Sequence, residues 1–146
     1  MSELLRCCGS RKWAEAMAAD TPFASSEEML RACDDIWARL DTADWLEAFR
    51  AHPKIGERTS SAWSQQEQSG TAAASASQIA ELERLNRVYE DRFGYIFIIC
   101  AAGKTTDQFV DALRERLSNP PEVEIGIAAE QQRHITRLRL LKLVAA

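Results

Sequence analysis

Along most of the chain, apolar residues recur every three or four positions, and short polar clusters break the rhythm. Leu4, Leu5 and Cys8 share one side of a first short helix, which Gly9-Ser10 ends. Trp13 and Met17, at i and i+4, mark a second helix over about 13–19. Thr21-Pro22-Phe23-Ala24 reads as a turn with an apolar plug at Phe23. Ser25 and Glu28 have capping-box spacing, and Met29, Leu30, Cys33, Ile36, Trp37 and Leu40 follow as a core stripe. Asp41-Thr42 caps the next helix, with Trp45, Leu46 and Phe49 on its inner face. That helix must close at His52, because a residue before proline is pushed out of the α region.

Residues 54–62 are polar and contain Gly56, so they read as a loop. A weak helix follows over 60–69, with Trp63 as its one large apolar residue, and Ser69-Gly70-Thr71 ends it. From about Ala74 to Phe93 the stripe Ile79, Leu82, Leu85, Tyr89 and Phe93 predicts a long helix, stopped by Gly94. Tyr95 to Ala101 has the length and β-branched content of a strand, yet no second such run exists to pair with it. We therefore expect a short extended or irregular buried segment near 95–101, with backbone groups available to a ligand. Thr106 is expected to cap a helix running to about Ser118, with Phe109, Leu113 and Leu117 inside. Asn119-Pro120-Pro121 is a break. In the last helix, about 122–144, Ile127, Ile135, Leu138, Leu141 and Val144 are apolar, while Glu130, His134, Arg137 and Arg139 interrupt the pattern. The prediction is an all-α fold: one domain over 1–146, a compact bundle of about seven or eight short helices.

Composition narrows the field. With 146 residues, 46% of them hydrophobic and 27% charged, the chain is long enough to bury a core. A net charge of −4 gives no electrostatic footprint for nucleic acid or an anionic membrane. No apolar stretch approaches the length of a membrane span, and there is no export signal. The thiols Cys7, Cys8, Cys33 and Cys100 lack C-x-x-C spacing, so we expect no metal and a cytoplasmic setting. Cys100 lies in an apolar run and is expected to be a buried small hydrophobe. The C-terminal Leu143-Val144-Ala145-Ala146 is not a peroxisomal address. Gly103-Lys104-Thr105-Thr106 resembles the end of a phosphate loop, but the glycine required five residues earlier is Ile98, so a nucleotide site is excluded.

His52 sits where a helix C-terminus presents its negative dipole end, which favours a protonated imidazole and suits a tunable acid or base. The same residue also suits a plain helix-ending role, bonded to a carbonyl. Ser64, Glu67 and Gln68 fall at i, i+3 and i+4, so a helix places hydroxyl, carboxylate and amide on one face. Such a face matches a urea or amide group, though Ser64-x-x-Glu67 is equally a capping box. Arg92, Arg137 and Arg139 complement helix dipoles or hold a substrate carboxylate. Glu130 and His134 read as a surface pair, and Trp13, Trp37, Trp45 and Trp63 as packing.

Three motifs in this order resemble the OHCU decarboxylase family, whose substrate is 2-oxo-4-hydroxy-4-carboxy-5-ureidoimidazoline. They are Ala51-His52-Pro53-Lys54-Ile55-Gly56, Glu67-Gln68-Ser69-Gly70, and Tyr89-x-x-Arg92-Phe93-Gly94 leading into Tyr95-Ile96-Phe97-Ile98-Ile99-Cys100-Ala101. The likeness extends to Trp13, Met17, Pro22-Phe23 and Arg137-Leu138-Arg139-Leu140. It implies an all-helical, cofactor-free homodimer that acts on this small molecule at the last step from urate to (S)-allantoin. By the same resemblance, His52 and Glu67 are catalytic. Pro53, Ser64 and Gln68 contact substrate, as do backbone groups of Phe97, Ile98, Ile99, Cys100 and Ala101. An arginine on the last helix is also implied, and Arg139 is preferred to Arg137. The chain carries no fused transthyretin-like stretch, so no hydrolysis of 5-hydroxyisourate is expected. Two other readings compete: a non-catalytic helical binding module, and a hydrolase of a related ureido compound.

Overall fold

The computed structural model describes residues 1–55 and 75–145. Among them are seven helices: α1 Ser2–Cys7, α2 Arg11–Asp20, α3 Ser26–Arg39, α4 Thr42–Arg50, α5 Ala76–Phe93, α6 Thr106–Leu117 and α7 Pro121–Ala145. No strand occurs among the described residues, in agreement with an all-α reading. The expected helix over 60–69, with Trp63, lies outside them.

Local chemistry sets the helix ends. The Ser10 hydroxyl accepts from the Trp13 N–H at 3.2 Å, and that of Ser25 from the Glu28 N–H at 3.1 Å. Glu28 reaches past its cap, taking the Ala24 N–H at 3.2 Å. Asp41 and Asp44 form a reciprocal box that opens α4, as do Ser75 and Gln78 for α5. Thr105 caps α6, where Thr106 was expected: the Thr105 hydroxyl accepts from the Gln108 N–H at 3.3 Å, and Gln108 returns the bond. Gln108 stands three residues after Thr105, the spacing a box needs, so Thr106 becomes the first helical residue and is buried. Gly94 closes α5 at φ 82°, a left-handed turn that a Cβ would strain. Pro121 opens α7, where a missing N–H costs nothing.

The chain divides into two compact units, Met1–Ala51 with Ala129–Ala146, and His52–Ala128. In the first, Trp13, Met17, Cys33, Ile36, Trp37, Phe49, Ile135 and Leu140 are buried. The indole N–H of Trp37 donates to the Ala129 carbonyl at 2.9 Å, and that of Trp45 to the Trp37 carbonyl at 3.1 Å. The chain passes so close at Gly9 that a Cβ there would meet the Ala51 Cβ at 2.5 Å. In the second unit, Ile55, Leu82, Leu85, Tyr89, Phe97, Ile99, Ala101, Phe109, Val110 and Leu113 form one apolar cluster.

The last helix differs from its apolar pattern. Its buried positions are Glu124, Ala128, Ala129, Gln132, Ile135, Thr136, Arg139 and Leu140. Leu138, Leu141 and Val144 are exposed instead. Gln132 and Thr136 satisfy each other inside, through an amide-to-hydroxyl bond of 3.0 Å and a hydroxyl-to-carbonyl bond of 2.9 Å.

Candidate functional site

Helix α4 ends at Arg50, and Ala51 follows with its N–H on the Ala48 carbonyl at 3.2 Å. His52 comes directly after, half-buried and engaged by neighbours. Pro53 is also half-buried. The stretch that follows is fastened to α5 in two ways. Lys54 pairs with Glu90 at 3.0 Å, and the Asn86 amide donates to the Ile55 carbonyl at 2.9 Å while the Ile55 side chain enters the core. His52-Pro53 is thus followed immediately by an anchored segment.

After Gly94 the chain runs through Tyr95 to Ala101 without regular structure, and Phe97, Ile98, Ile99 and Ala101 are buried. The expectation of a buried non-helical segment holds. Phe97, Ile99 and Ala101 alternate into the apolar cluster of the second unit, a two-residue period of extended chain. Cys100 departs from expectation, because it is only half-buried: its two neighbours take the inward positions. The other three thiols are buried. Burial pushes the Cys7 thiol up to about 11 and those of Cys8 and Cys33 to about 12, so they are inert as nucleophiles at neutral pH.

What holds this segment was not foreseen from the sequence. Arg116 of α6 donates through Nη1 to the Ile98 carbonyl at 2.7 Å and lies 4.5 Å above the Phe97 ring. Its Nε and Nη2 meet Oε2 of Glu124, at 2.8 and 2.6 Å. Glu124 is wholly buried and also accepts from the Tyr89 hydroxyl, and from the Asn119 amide at 3.0 Å. The Tyr89 ring stands edge-on to that of Phe97, with centroids 5.2 Å apart. Burial, then the bond to Glu124, drives the Tyr89 phenol far above its ordinary range, so it stays a donor. Further along, Lys104 donates through Nζ to the Cys100 carbonyl at 2.6 Å and through its backbone N–H to the Ala101 carbonyl at 3.1 Å. One signal in the sequence would have found the pair: Arg116 follows Phe109 and Leu113 on the inner stripe of α6, and Glu124 heads the stripe Ala128, Gln132, Ile135.

The arginines separate by partner. Arg92 donates to the Asn119 carbonyl at 2.8 Å, a structural bond. Arg137 pairs with Asp34 at 2.7 Å. Arg139 is buried in the first unit, with Nη1 on the Arg6 carbonyl at 3.1 Å and further contacts of its own. Glu130 and His134 are the expected surface pair, at 3.3 Å. Ser64, Glu67 and Gln68 lie outside the described residues. A cleft of about 230 Å³, lined by Lys54, Ile55, Glu83, Asn86 and Arg87, opens beside the anchored segment after Pro53. Among the described residues no group of three His, Cys, Asp or Glu side chains is placed to hold a metal ion, and no helix is long and apolar enough to cross a membrane.

Comparison with known proteins gives consistent results. Residues 1–141 match the family model described as OHCU decarboxylase. The chain is 41% identical over 145 residues to the uric acid degradation bifunctional protein TTL of Arabidopsis thaliana, covering 94% of this chain but 45% of that protein. It is 31% identical over 138 residues to the 2-oxo-4-hydroxy-4-carboxy-5-ureidoimidazoline decarboxylase of Amia calva, covering 90% of this chain and 79% of that one. A crystal structure of OHCU decarboxylase in the presence of (S)-allantoin superposes with a TM-score of 0.91 at 41% identity, over 100% of this chain and 99% of that one.

Proposed function

Because the chain belongs to the OHCU decarboxylase family, we propose that it removes carbon dioxide from 2-oxo-4-hydroxy-4-carboxy-5-ureidoimidazoline to give (S)-allantoin in urate breakdown. The observation that carries this reading is the near-complete superposition on a decarboxylase structure obtained in the presence of (S)-allantoin. The chain spans about half of the bifunctional Arabidopsis relative, so the proposal concerns this one step only.

The chemistry suits the residues. Loss of carbon dioxide leaves an electron pair that the adjacent ring unsaturation delocalises, so the protein must orient the substrate and deliver a proton to one face. His52, held between the end of α4 and the anchored Lys54-Ile55, exchanges protons with the substrate hydroxyl and the developing enolate-like centre. Glu67 orients substrate and imidazole, with Ser64 and Gln68 on the ureido and ring N–H groups. Pro53 walls the site beside His52. The backbone of Phe97 to Ala101 meets the ring carbonyl edge, and Arg139 holds the substrate carboxylate. A homodimer in the cytoplasm belongs to the same proposal, and light scattering of the purified protein tests the dimer.

The decisive assay follows circular dichroism of freshly generated substrate. Wild-type protein should produce a persistent (S)-allantoin signal, and decay to racemic product at the uncatalysed rate would remove the reading. A general acid–base residue typically contributes about 10²–10⁴-fold. His52→Asn should therefore lose most of kcat while keeping the helical spectrum, whereas full turnover in that variant would reassign the proton donor.

A further inference from the structure

Two cations reach alternate carbonyls of the non-helical run: Arg116 takes that of Ile98 at 2.7 Å, and Lys104 that of Cys100 at 2.6 Å. Both peptide bonds are trans, and a trans peptide is planar, with its C=O and the following N–H pointing in opposite directions. Fixing the Ile98 carbonyl therefore fixes the direction of the Ile99 N–H. Fixing the Cys100 carbonyl does the same for the Ala101 N–H. Residues two apart in extended chain present their groups to one side, and the side chains of Ile99 and Ala101 enter the same cluster.

Neither cation has much freedom. Arg116 is gripped by Glu124 and lies against the Phe97 ring. Lys104 closes a turn on Ala101, with Gly103 at φ 75° supplying the left-handed position. Bonds from a charged donor are roughly twice as strong as neutral ones, so both peptide planes resist rotation. We propose that Arg116 and Lys104 are positioning residues that aim the N–H groups of Ile99 and Ala101 at acceptor oxygens of the substrate. The inference rests on the decarboxylase reading and adds the residues that set its backbone donors.

The test is amide NMR of the full chain titrated with (S)-allantoin, alongside turnover and thermal melting. In wild type the Ile99 and Ala101 amide protons should move downfield. Lys104 is half-buried, so Lys104→Met should fold and melt like wild type. It should lose most of the Ala101 shift, keep that of Ile99, and lower kcat/KM about tenfold, the loss of one well-made hydrogen bond. Lys104→Arg should restore both. Arg116→Lys should act in mirror image on Ile99, and if it fails to fold the Lys104 pair decides alone. A Lys104→Met protein with the wild-type Ala101 shift and wild-type kcat/KM would overturn the inference and leave the decarboxylase standing. A wild type with neither turnover nor amide shifts would remove both.

Discussion

Arg114 and Arg116 lie two residues apart on α6 and lead opposite lives. Arg114 is more than half exposed and meets Glu81 at 3.1 Å, beside Arg84 at 2.7 Å. Arg116 is almost fully buried and meets a carboxylate with no exposure at all. In water, such a pair gains little, because solvent screens the attraction and two long side chains lose freedom. In the interior each ion sheds its hydration at a cost of several kcal/mol, so the pair persists only if every remaining polar site is filled. Here Tyr89, Asn119 and the Ile98 carbonyl fill them. The contrast points to a role for the buried pair beyond net stability. An apolar pair of similar size would serve stability as well, but it would leave the Ile98 carbonyl unheld.

The comparison can be broken most severely at Glu124. Glu124→Ala leaves Arg116 charged and without its counter-ion, and should cost about 3–5 kcal/mol in denaturant unfolding. A loss below about 1 kcal/mol would mean that water already reaches the pair. The double variant Arg116→Met with Glu124→Leu sharpens the point: it should recover much of that stability yet keep reduced kcat/KM. Removing a donor is milder. Tyr89→Phe takes one bond from the carboxylate and should cost about 1–3 kcal/mol by the same measurement, with no pH dependence from the phenol between about pH 5 and 9, where it stays protonated throughout.

The smallest effect belongs to the exposed cluster. Arg114→Ala should leave the melting temperature almost unmoved. Hydrogen bonds from Arg84 and then Arg114 hold the Glu81 carboxyl at about 2, against an ordinary value of 4.5. A carboxyl lowered on folding favours the folded state at pH values above its unfolded pKa. That contribution is complete above about 4.5 and disappears as the pH falls through about 2. Carbon-detected titration of Glu81 should show its pKa move part of the way toward 4.5 in Arg114→Ala.

Much of the scaffold was legible because its signals are local. Ser25, Asp41 and Gly94 act on backbone groups within four residues, so their spacing is enough to place helix ends. The non-helical run was legible by elimination, since a strand-like stretch without a partner cannot be a strand. Arg116 and Glu124 were not singled out, because both are charged, although each falls on the inner stripe of its helix. Periodicity turns each of them inward, but it does not show that they meet, eight residues apart across the Asn119-Pro120-Pro121 break. In α7 the same blindness ran the other way: Leu138, Leu141 and Val144 look like core and are exposed, while Gln132 and Thr136 look like surface and satisfy each other inside. Of the candidate site, the His52 end was readable from a proline and the 97–101 run from its composition. The roles of Glu67, Ser64 and Gln68 came from resemblance to a family, not from anything their spacing could decide.

The alternation of Phe97, Ile99 and Ala101 into the apolar cluster bears on how this region tolerates change. If recognition is carried by peptide groups, a mutational scan across 97–101 reports only volume and greasiness, since any side chain that packs leaves the donors in place. Proline is the exception, because it deletes the donor itself. Selection would then see this stretch as a packing problem, and its chemistry would be guarded from a distance by an arginine and a lysine that never touch the substrate.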